Sequence, residues 1–515
     1  MKLLKKSALL IAGLFLLMTL VLWVFTHVIS PDSLKIALNK HLSDLTSQPT
    51  KIEGDIAWQL FPKPGIRITK INIGQGQDAK YAAVLDNLFL NLQFTSLIRG
   101  KLVFNELKVD GFKLHVNTTK QAPKRDVPLS SVAKATDKVP AKFAIEQVLF
   151  TRGNISFITE QRGLTLNNVQ VGASHVNFQN GFFPVQMKGS LLSTGPKVNL
   201  NAYVTFKGRT RLTQQLFSQG LASSDNSLVE GQISIQDLQF NRFKITKINA
   251  TSILKSGQLT LNPLNLTFYR GKSVGDLTFQ TSTKKISFNQ IASGVNSTSF
   301  LKALLGSTPI KGPMDFSIHG STVLSSDWQD NLVGKGNITV KDGVLNFVNL
   351  NAVLNNFSSK LKLFLASSKS ISDLKLGEQL ESSTPMKGKT PFQLISVEYQ
   401  LDKNLQLHES ALLQANVLQM KGEGVVSLKD YVIQHRAIVK VTSGDKTLDN
   451  LQNLLNGSIP LHISGTLFEP VILPDVQKIA PIAAQLLLKK SLEKPMQQFE
   501  TQLNNLLDKA NLTTL

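Results

Sequence analysis

Apolar and polar residues alternate at period two along most of the chain, as half-buried strands require. Leu88, Leu90, Leu92 and Phe94 interleave with Asn87, Phe89, Asn91 and Gln93. Ile66 and Ile68 share one phase and Ile71 and Ile73 the other, so the alternation slips once between them. Further runs are Val198-Leu200-Ala202-Val204-Phe206, Leu259-Leu261-Leu264-Leu266-Phe268 and Met314-Phe316-Ile318. Gly, Asn and Asp punctuate these runs, and Asp110-Gly111 and Asp342-Gly343 are expected to be turns. Roughly 20 to 25 such segments can be counted, more than a β-sandwich needs. Antiparallel meanders are the expectation.

Helical periodicity is confined to a few places. Residues 31–47 carry Leu34, Leu38, Leu42 and Leu45 on one face after Pro31. Short helices are expected at 211–222, 299–306, 351–366 and 447–456. The stretch 475–510 places Ile479, Ile482, Leu486, Leu492, Met496, Phe499, Leu503 and Leu506 near helical spacing, with Pro495 as a break or kink. Such a tail either caps its own sheet or meets a membrane or partner.

One segment is apolar throughout. Residues 8–29 hold no charge and, as a helix, would be about 33 Å long, enough for a hydrocarbon core of about 30 Å. Lys2, Lys5 and Lys6 precede it, so residues 1–7 are expected to be cytoplasmic and the body exported. A cleaved signal peptide is the competing reading; its apolar region usually runs only about 7–15 residues, and Pro31 suits a cleavage site poorly. Beyond the segment the expected parts are an N-terminal β unit at 30–117 and a linker or long loop at 118–142, rich in Pro, Ser, Thr and charge. An extended β body at 143–474 and a helical tail at 475–515 follow.

Composition sharpens this picture in two respects. Phe occurs 28 times against 5 Tyr and 3 Trp, and Phe offers apolar surface without a polar handle, which suits a large dry face. The net charge is +21, scattered rather than gathered on a basic helix, so lipid headgroups fit better than nucleic acid. Hydrophobic residues make up 42% and mean hydropathy is 0.00, which excludes a disordered chain and a multi-span membrane protein.

Chemistry is sparse. With no cysteine there are no disulfides, thiolate metal sites or cysteine nucleophiles. The eight His are isolated in sequence, outside HExxH or HxH patterns, and each reads as a strand or surface histidine rather than a metal ligand. Gly74-Gln75-Gly76, Gly334-Lys335-Gly336 and Gly422-Glu423-Gly424 lack the rest of a phosphate loop; turns or bulges account for them better. GxSxG and SxxK are absent. The expectation is no enzyme, no cofactor, and neither a catalytic residue nor a metal site.

Several stretches resemble the AsmA family of bacterial inner-membrane-anchored periplasmic proteins. KIEGDIAWQLFPKPGIRITKINIG (51–74) carries Glu53-Gly54-Asp55-Ile56, Trp58, Phe61-Pro62 and Gly65 ahead of an alternating strand. DNLFLNLQFTSLIRGKLVFNELKVDGFKLHV (86–116) is similar to that family's strand pair around a DG step. Residues 390–428 and 459–476 resemble its C-terminal region, through Pro460, Ile463-Ser464-Gly465-Thr466, Pro470 and Pro474-Asp475.

The resemblance implies an extended, curled antiparallel sheet of the repeating β-groove type, related to bridge-like lipid transfer proteins. It also implies phospholipid carriage between inner and outer membrane in support of outer-membrane assembly. The implied partners are membrane lipids (phospholipid or lipopolysaccharide), the inner membrane through 8–29, and envelope proteins. A curled meander can present one apolar face, and Val84, Leu88, Leu90, Leu92, Phe94, Leu102, Phe104, Phe112 and Leu114 are the candidate lining. A closed β core in a non-transporting scaffold or assembly factor is the alternative.

Overall fold

The computed structural model describes residues 35–36, 39–40, 43, 49–59, 63–74, 81–93, 104–117, 144–158, 163–177, 181–193, 199–211, 228–325, 327–367, 387–442 and 444–511. The segment 8–29, the span 118–142 and nearly all of 211–222 lie outside them. Among the described residues no helix is long and apolar enough to cross a membrane. Over the described residues the protein is mainly β, with 23 strands and few helices, and it divides into two compact units: Met1–Leu266 with Gln280–Ser282, and Thr267–Phe279 with Thr283–Leu515.

Unit 1 contains β1 (Thr50–Ile52), β2 (Ile56–Gln59), β3 (Gly65–Ile73), β4 (Tyr81–Leu92), β5 (Phe104–Asn117), β6 (Ala144–Ile158), β7 (Gly163–Asn177), β8 (Phe182–Ser193), β9 (Leu200–Arg211), β10 (Leu228–Phe240) and β11 (Phe243–Lys255). From β3 onward each strand pairs with the next, and β1 and β2 both pair with β3. One pair departs from expectation: β5 and β6 are parallel. The sheet is therefore mixed. A parallel pair needs a long crossover rather than a hairpin, and residues 118–143 separate the two strands. Among the described residues no strand pairing closes either unit into a barrel.

The outer edge of β1 is blunted by side chains from a helical segment. Asn39 Oδ1 accepts from Ile52 N and Ser43 Oγ from Thr50 N, each at 2.8 Å, so these edge amides are not left open for another strand.

The phase slip at Ile68/Ile71 falls at Lys70 (φ 48), which is skipped in the ladder together with Asp86 opposite it while the register is kept, and it does not stand alone. Gly111 (φ 83) in β5 and Arg152 (φ 54) in β6 are skipped in the same row, and within that row the register shifts only in the β6–β7 and β7–β8 pairs, at Arg152 and at Asn168 (φ 51). A left-handed residue inside a strand interrupts the strict alternation of side chains, so this row forms a line of phase reversal across five strands. Asp110-Gly111 and Asp342-Gly343 are accordingly not turns. Both sit inside long strands, where the left-handed residue reverses the side-chain phase instead of the chain direction.

This row is braced by one carboxylate. Asp110 Oδ1 accepts from Thr151 Oγ1 (2.7 Å) and Arg152 Nε (2.8 Å), and Oδ2 accepts from Arg152 Nη2 (2.6 Å). The hydrogen bond from Arg152, then that from Thr151, holds the Asp110 carboxyl below the usual carboxylate range. A lowered native pKa means that the native state binds fewer protons. Its stability is present above the ordinary value of about 3.9 and is lost as pH falls through the native one. Both groups are substantially exposed, so the effect is small. We expect the urea midpoint of Asp110→Asn to lie below that of the parent at neutral pH and to converge with it below about pH 4. A constant gap across that range would exclude a role for the ionised carboxylate.

Unit 2 contains β13 (Gly271–Gln280, all but its last residue), β14 (Lys285–Asn296), β15 (Ile310–Lys311), β16 (Pro313–Val323), β17 (Val333–Asn346), β18 (Lys389–Asp402), β19 (Gln406–Gln414), β20 (Leu418–Ser427), β21 (Ile433–Val441), β22 (Ile459–Gly465) and β23 (Pro470–Pro474); β12 (Gln258–Phe268) crosses the division between the units. From β16 to β23 neighbours in sequence pair antiparallel, β14 pairs with β16, and β15 with β17. Its helices are α1 (Ser297–Leu305), α2 (Leu350–Ser367), α3 (Lys446–Leu454) and α4 (Val476–Asn511). The first three match the expected helices at 299–306, 351–366 and 447–456. Asn296 caps α1 and Gly306 ends it in the left-handed conformation; Asp445 caps α3 through Thr447 N and Leu448 N.

The tail differs from expectation, because α4 runs through Pro495 without ending there. A proline removes one helical hydrogen bond and crowds the preceding turn, which a helix with bonded turns on both sides can survive.

Candidate functional site

The register of unit 1 sorts its side chains into rows. One row runs Ile68, Leu88, Val109, Phe150, Val171, Met187, Phe206, Ile233, Ala250, from β3 to β11, and every member is apolar. A second runs Ile66, Leu90, Leu107, Val148, Ala173, Val185 and then reaches Gly208 and Gly231. Beyond the phase reversal, Ile73, Ala83, Leu114, Ile155, Leu166, Leu191 and Ala202 form a third. Partners in register share a sheet face, so these rows make one continuous apolar surface. The opposite face carries Arg67, Phe89, Lys108, Leu149, Gly172, Gln186, Lys207, Gln232 and Thr251, mostly polar.

The apolar face is packed most tightly at one end, with a second small buried cluster of Ile145, Val176 and Phe183 against Leu107, Val148 and Ala173. Ile52, Ile56, Ile68, Ile71, Leu88, Val109, Phe112 and Val169 form a buried cluster, with Leu90, Leu107, Phe150, Ile155 and Met187 half-buried against it. Phe112 and Phe150 meet edge to face at 5.5 Å. Farther along, Val204, Phe206, Ile233 and Ile235 are half-buried rather than enclosed. A face this apolar and this open is unusual for a protein surface unless something covers it.

Of the candidate lining, Leu88, Leu90, Phe112 and Leu114 lie on this face, and Phe104 joins it opposite Ile145. Leu92 stands in register with Phe104. Val84 does not belong: it stands opposite Asn72 and Lys113, because the side-chain phase reverses at Asp86, between Leu85 and Leu88. Phe94 and Leu102 lie outside the described residues. Sequence reasoning missed the larger share of the face, in β6 to β11. The alternation there was legible, but which runs share a face depends on register.

Glycines set the thickness of the sheet. A Cβ built at Gly153 would overlap the ring of Phe112, and one at Gly336 would stand 2.7 Å from the Tyr399 hydroxyl. At Gly334-Lys335-Gly336 and Gly422-Glu423-Gly424 the glycines are strand residues close against the neighbouring strands, Gly336 against Tyr399 and Gly422 against His435, neither turns nor bulges. Gly153→Ala should lower stability by about 1–3 kcal/mol, the usual cost of overpacking, measurable by urea denaturation. An unchanged midpoint would mean that the Phe112 ring does not rest on Gly153.

Unit 2 treats its corresponding face differently. Val340, Ile395, Leu413, Val439 and Ile459 are buried, as are Leu354, Phe357, Leu361 and Phe364 of α2, Leu448 and Leu451 of α3, and Ile479, Ala483 and Leu487 of α4. The helix α2 touches α3, α4, β18 and β23, and α3 touches β21. This is a closed core.

On the same face, the next rows hold polar groups that converge only through the fold. Glu409 and His435, two strands apart across Gly424, approach to 2.5 Å between Oε1 and Nδ1, in an orientation too oblique for a hydrogen bond. Both side chains are nearly buried, and Glu409 Oε2 has no hydrogen-bond partner among the described residues. Tyr399, beside Glu409 in register, donates to Ser317 O at 3.1 Å, and burial pushes its phenol pKa up. An open cavity of about 1000 Å³ brings His319, His408, His435 and His462 together with Lys335 and Arg436. Four histidines isolated in sequence thus line one hollow. Among the described residues no group of three or more His, Asp or Glu is arranged to hold a metal.

Residues 1–220 match the model of the AsmA family. The match supports an AsmA-family assignment. The AsmA match lies within unit 1 and spans β1 to β9, the strands that carry most of the apolar face. The resemblance read over 390–428 and 459–476 lies beyond it. AsmA is not an enzyme family, and its members are generally associated with the cell envelope. No curated protein and no solved structure matches the chain.

Proposed function

We propose that this chain is an inner-membrane-anchored periplasmic protein that carries phospholipid toward the outer membrane, supporting outer-membrane assembly and integrity. The observation that carries the reading is the nine-strand apolar row from Ile68 to Ala250, half-buried over much of its length. Acyl chains laid against that face would remove its apolar area from water, at about 25 cal/mol per Å². Headgroups would stay at the solvated rim, and no catalytic group is needed. The AsmA match and the extended β-sheet fit a lipid-transport-like envelope protein.

Photo-crosslinking tests it directly. A photoreactive residue at Phe206 or Ile233 should capture lipid identifiable by mass spectrometry, whereas one at Lys207 or Gln232, on the opposite face, should not. Equal capture from both faces, or none from either, would defeat the proposal. The helix-capped core of unit 2 favours a second reading, a scaffold that binds no lipid, and it predicts no capture at any of these positions.

A further inference from the structure

We infer that the polar face of unit 1 holds a phosphate group between Arg209 and Arg211, at the end of β9. One row there runs Phe182, Arg211, Leu228, Lys255, and the next runs Pro184, Arg209, Glu230, Ile253. Both lie on the face opposite the apolar rows, whose end is Phe183, Thr210, Val229 and Leu254. The guanidinium carbons of Arg209 and Arg211 stand 4.8 and 5.1 Å from the centre of the Phe182 ring, which is 41% exposed. One ring therefore positions two cations side by side.

Their charges are only partly answered. Arg209 donates through Nε to Glu230, which leaves its two Nη groups without a protein partner among the described residues. Arg211 Nε is buried and bonded to nothing, so its head is held by the ring and not by an acid. Over 182–255, with every strand and connection from β8 to β11 counted, nine Lys and Arg stand against three acids, Asp225, Glu230 and Asp237. Glu230 is taken by Arg209, Asp237 lies toward the other end of β10, and Asp225 lies outside the described residues. Two like charges held this close repel, and an anion between them turns repulsion into attraction.

The donor set selects the anion. A planar carboxylate offers two oxygens, and one carboxylate, Glu230, is already in place. Two guanidinium forks from neighbouring positions on one strand suit a tetrahedral group with three or more acceptor oxygens. A lipid headgroup and free phosphate share that chemistry. The site stands whether or not acyl chains occupy the apolar face, because it lies on the other side of the sheet.

The test uses the full chain in a maltoside detergent, titrated calorimetrically with inorganic phosphate, with dihexanoylphosphatidylglycerol and with acetate. Phosphate or the short lipid should bind and acetate should not. Tighter binding of the lipid would assign the site to a headgroup, and tighter binding of phosphate to the free ion. Arg211→Gln should weaken binding about tenfold or more, the loss of charge-assisted hydrogen bonds, and Arg211→Lys should fall between that variant and the parent. Phe182→Leu keeps both charges and removes the ring, so binding should fall there too, even if Arg211→Gln does not fold. Lys247→Gln, exposed on the same face toward the other end of β11, should bind as the parent does. The inference is overturned if neither phosphate compound binds, if acetate binds as well, if Arg211→Gln folds and binds as the parent does, if Phe182→Leu binds as the parent does, or if Lys247→Gln weakens binding equally.

Discussion

Ile233→Glu, in the middle of β10, will leave the chain folded and strip it of bound lipid. Ile233 lies on the apolar face between Phe206 and Ala250, half-buried and away from the tight cluster around Ile71. A glutamate there can turn its carboxylate to water, so the expected stability change is about 1 kcal/mol or less. An acyl chain on the same spot would have to displace that water. An acidic side chain in hydrocarbon costs roughly 2.5–3.5 kcal/mol, about a hundredfold in occupancy. Lipid that co-purifies with the parent, counted by mass spectrometry, should therefore fall by about two orders of magnitude while the melting temperature stays within a few degrees. Outright unfolding of Ile233→Glu would mean that the face is an enclosed core, and carriage along it would be untenable.

Leu361→Asp will have the opposite outcome. Leu361 is 0% exposed, on the face of α2 that also buries Leu354, Phe357 and Phe364. Removing its apolar contacts costs about 2–5 kcal/mol, and a carboxylate with no partner there adds several more. That sum rivals the whole stability of an ordinary domain. Unit 2 should lose its cooperative melt and become open to proteolysis, read as new cleavage within 350–367. A variant that melts as the parent does would show that α2 is not packed on this sheet in solution. The pair of substitutions separates an open face from a closed one by a difference in kind.

Much of the architecture was legible before any coordinates. Alternation at period two marked the strands, and the slip between Ile68 and Ile71 marked the left-handed residue Lys70, because such a residue changes the phase of the pattern locally. Helices α1, α2 and α3 announced themselves through their apolar spacing. Asp110-Gly111 and Asp342-Gly343 misled, since a left-handed glycine or aspartate serves a phase reversal within a strand as readily as a hairpin. Val84 was assigned to the apolar lining because alternation was carried across Asp86, where the side-chain phase reverses. The Gly-x-Gly pairs were read as turns or bulges because nothing in their own strands shows that Tyr399 lies against Gly336 or His435 against Gly422.

By itself the amino-acid sequence determined that this chain is built of amphipathic strands, which residues point together within each strand, and where short helices interrupt. Those are properties of near neighbours, set by the two- and 3.6-residue periods of the backbone. Only the tertiary structure decided which strands lie side by side: the parallel β5–β6 pair, the nine-strand apolar row, the helix-closed face of unit 2, and the meeting of Glu409 with His435. Pairing register is a choice among partners far apart in sequence, and a shift of one residue would send every side chain of a strand to the other face.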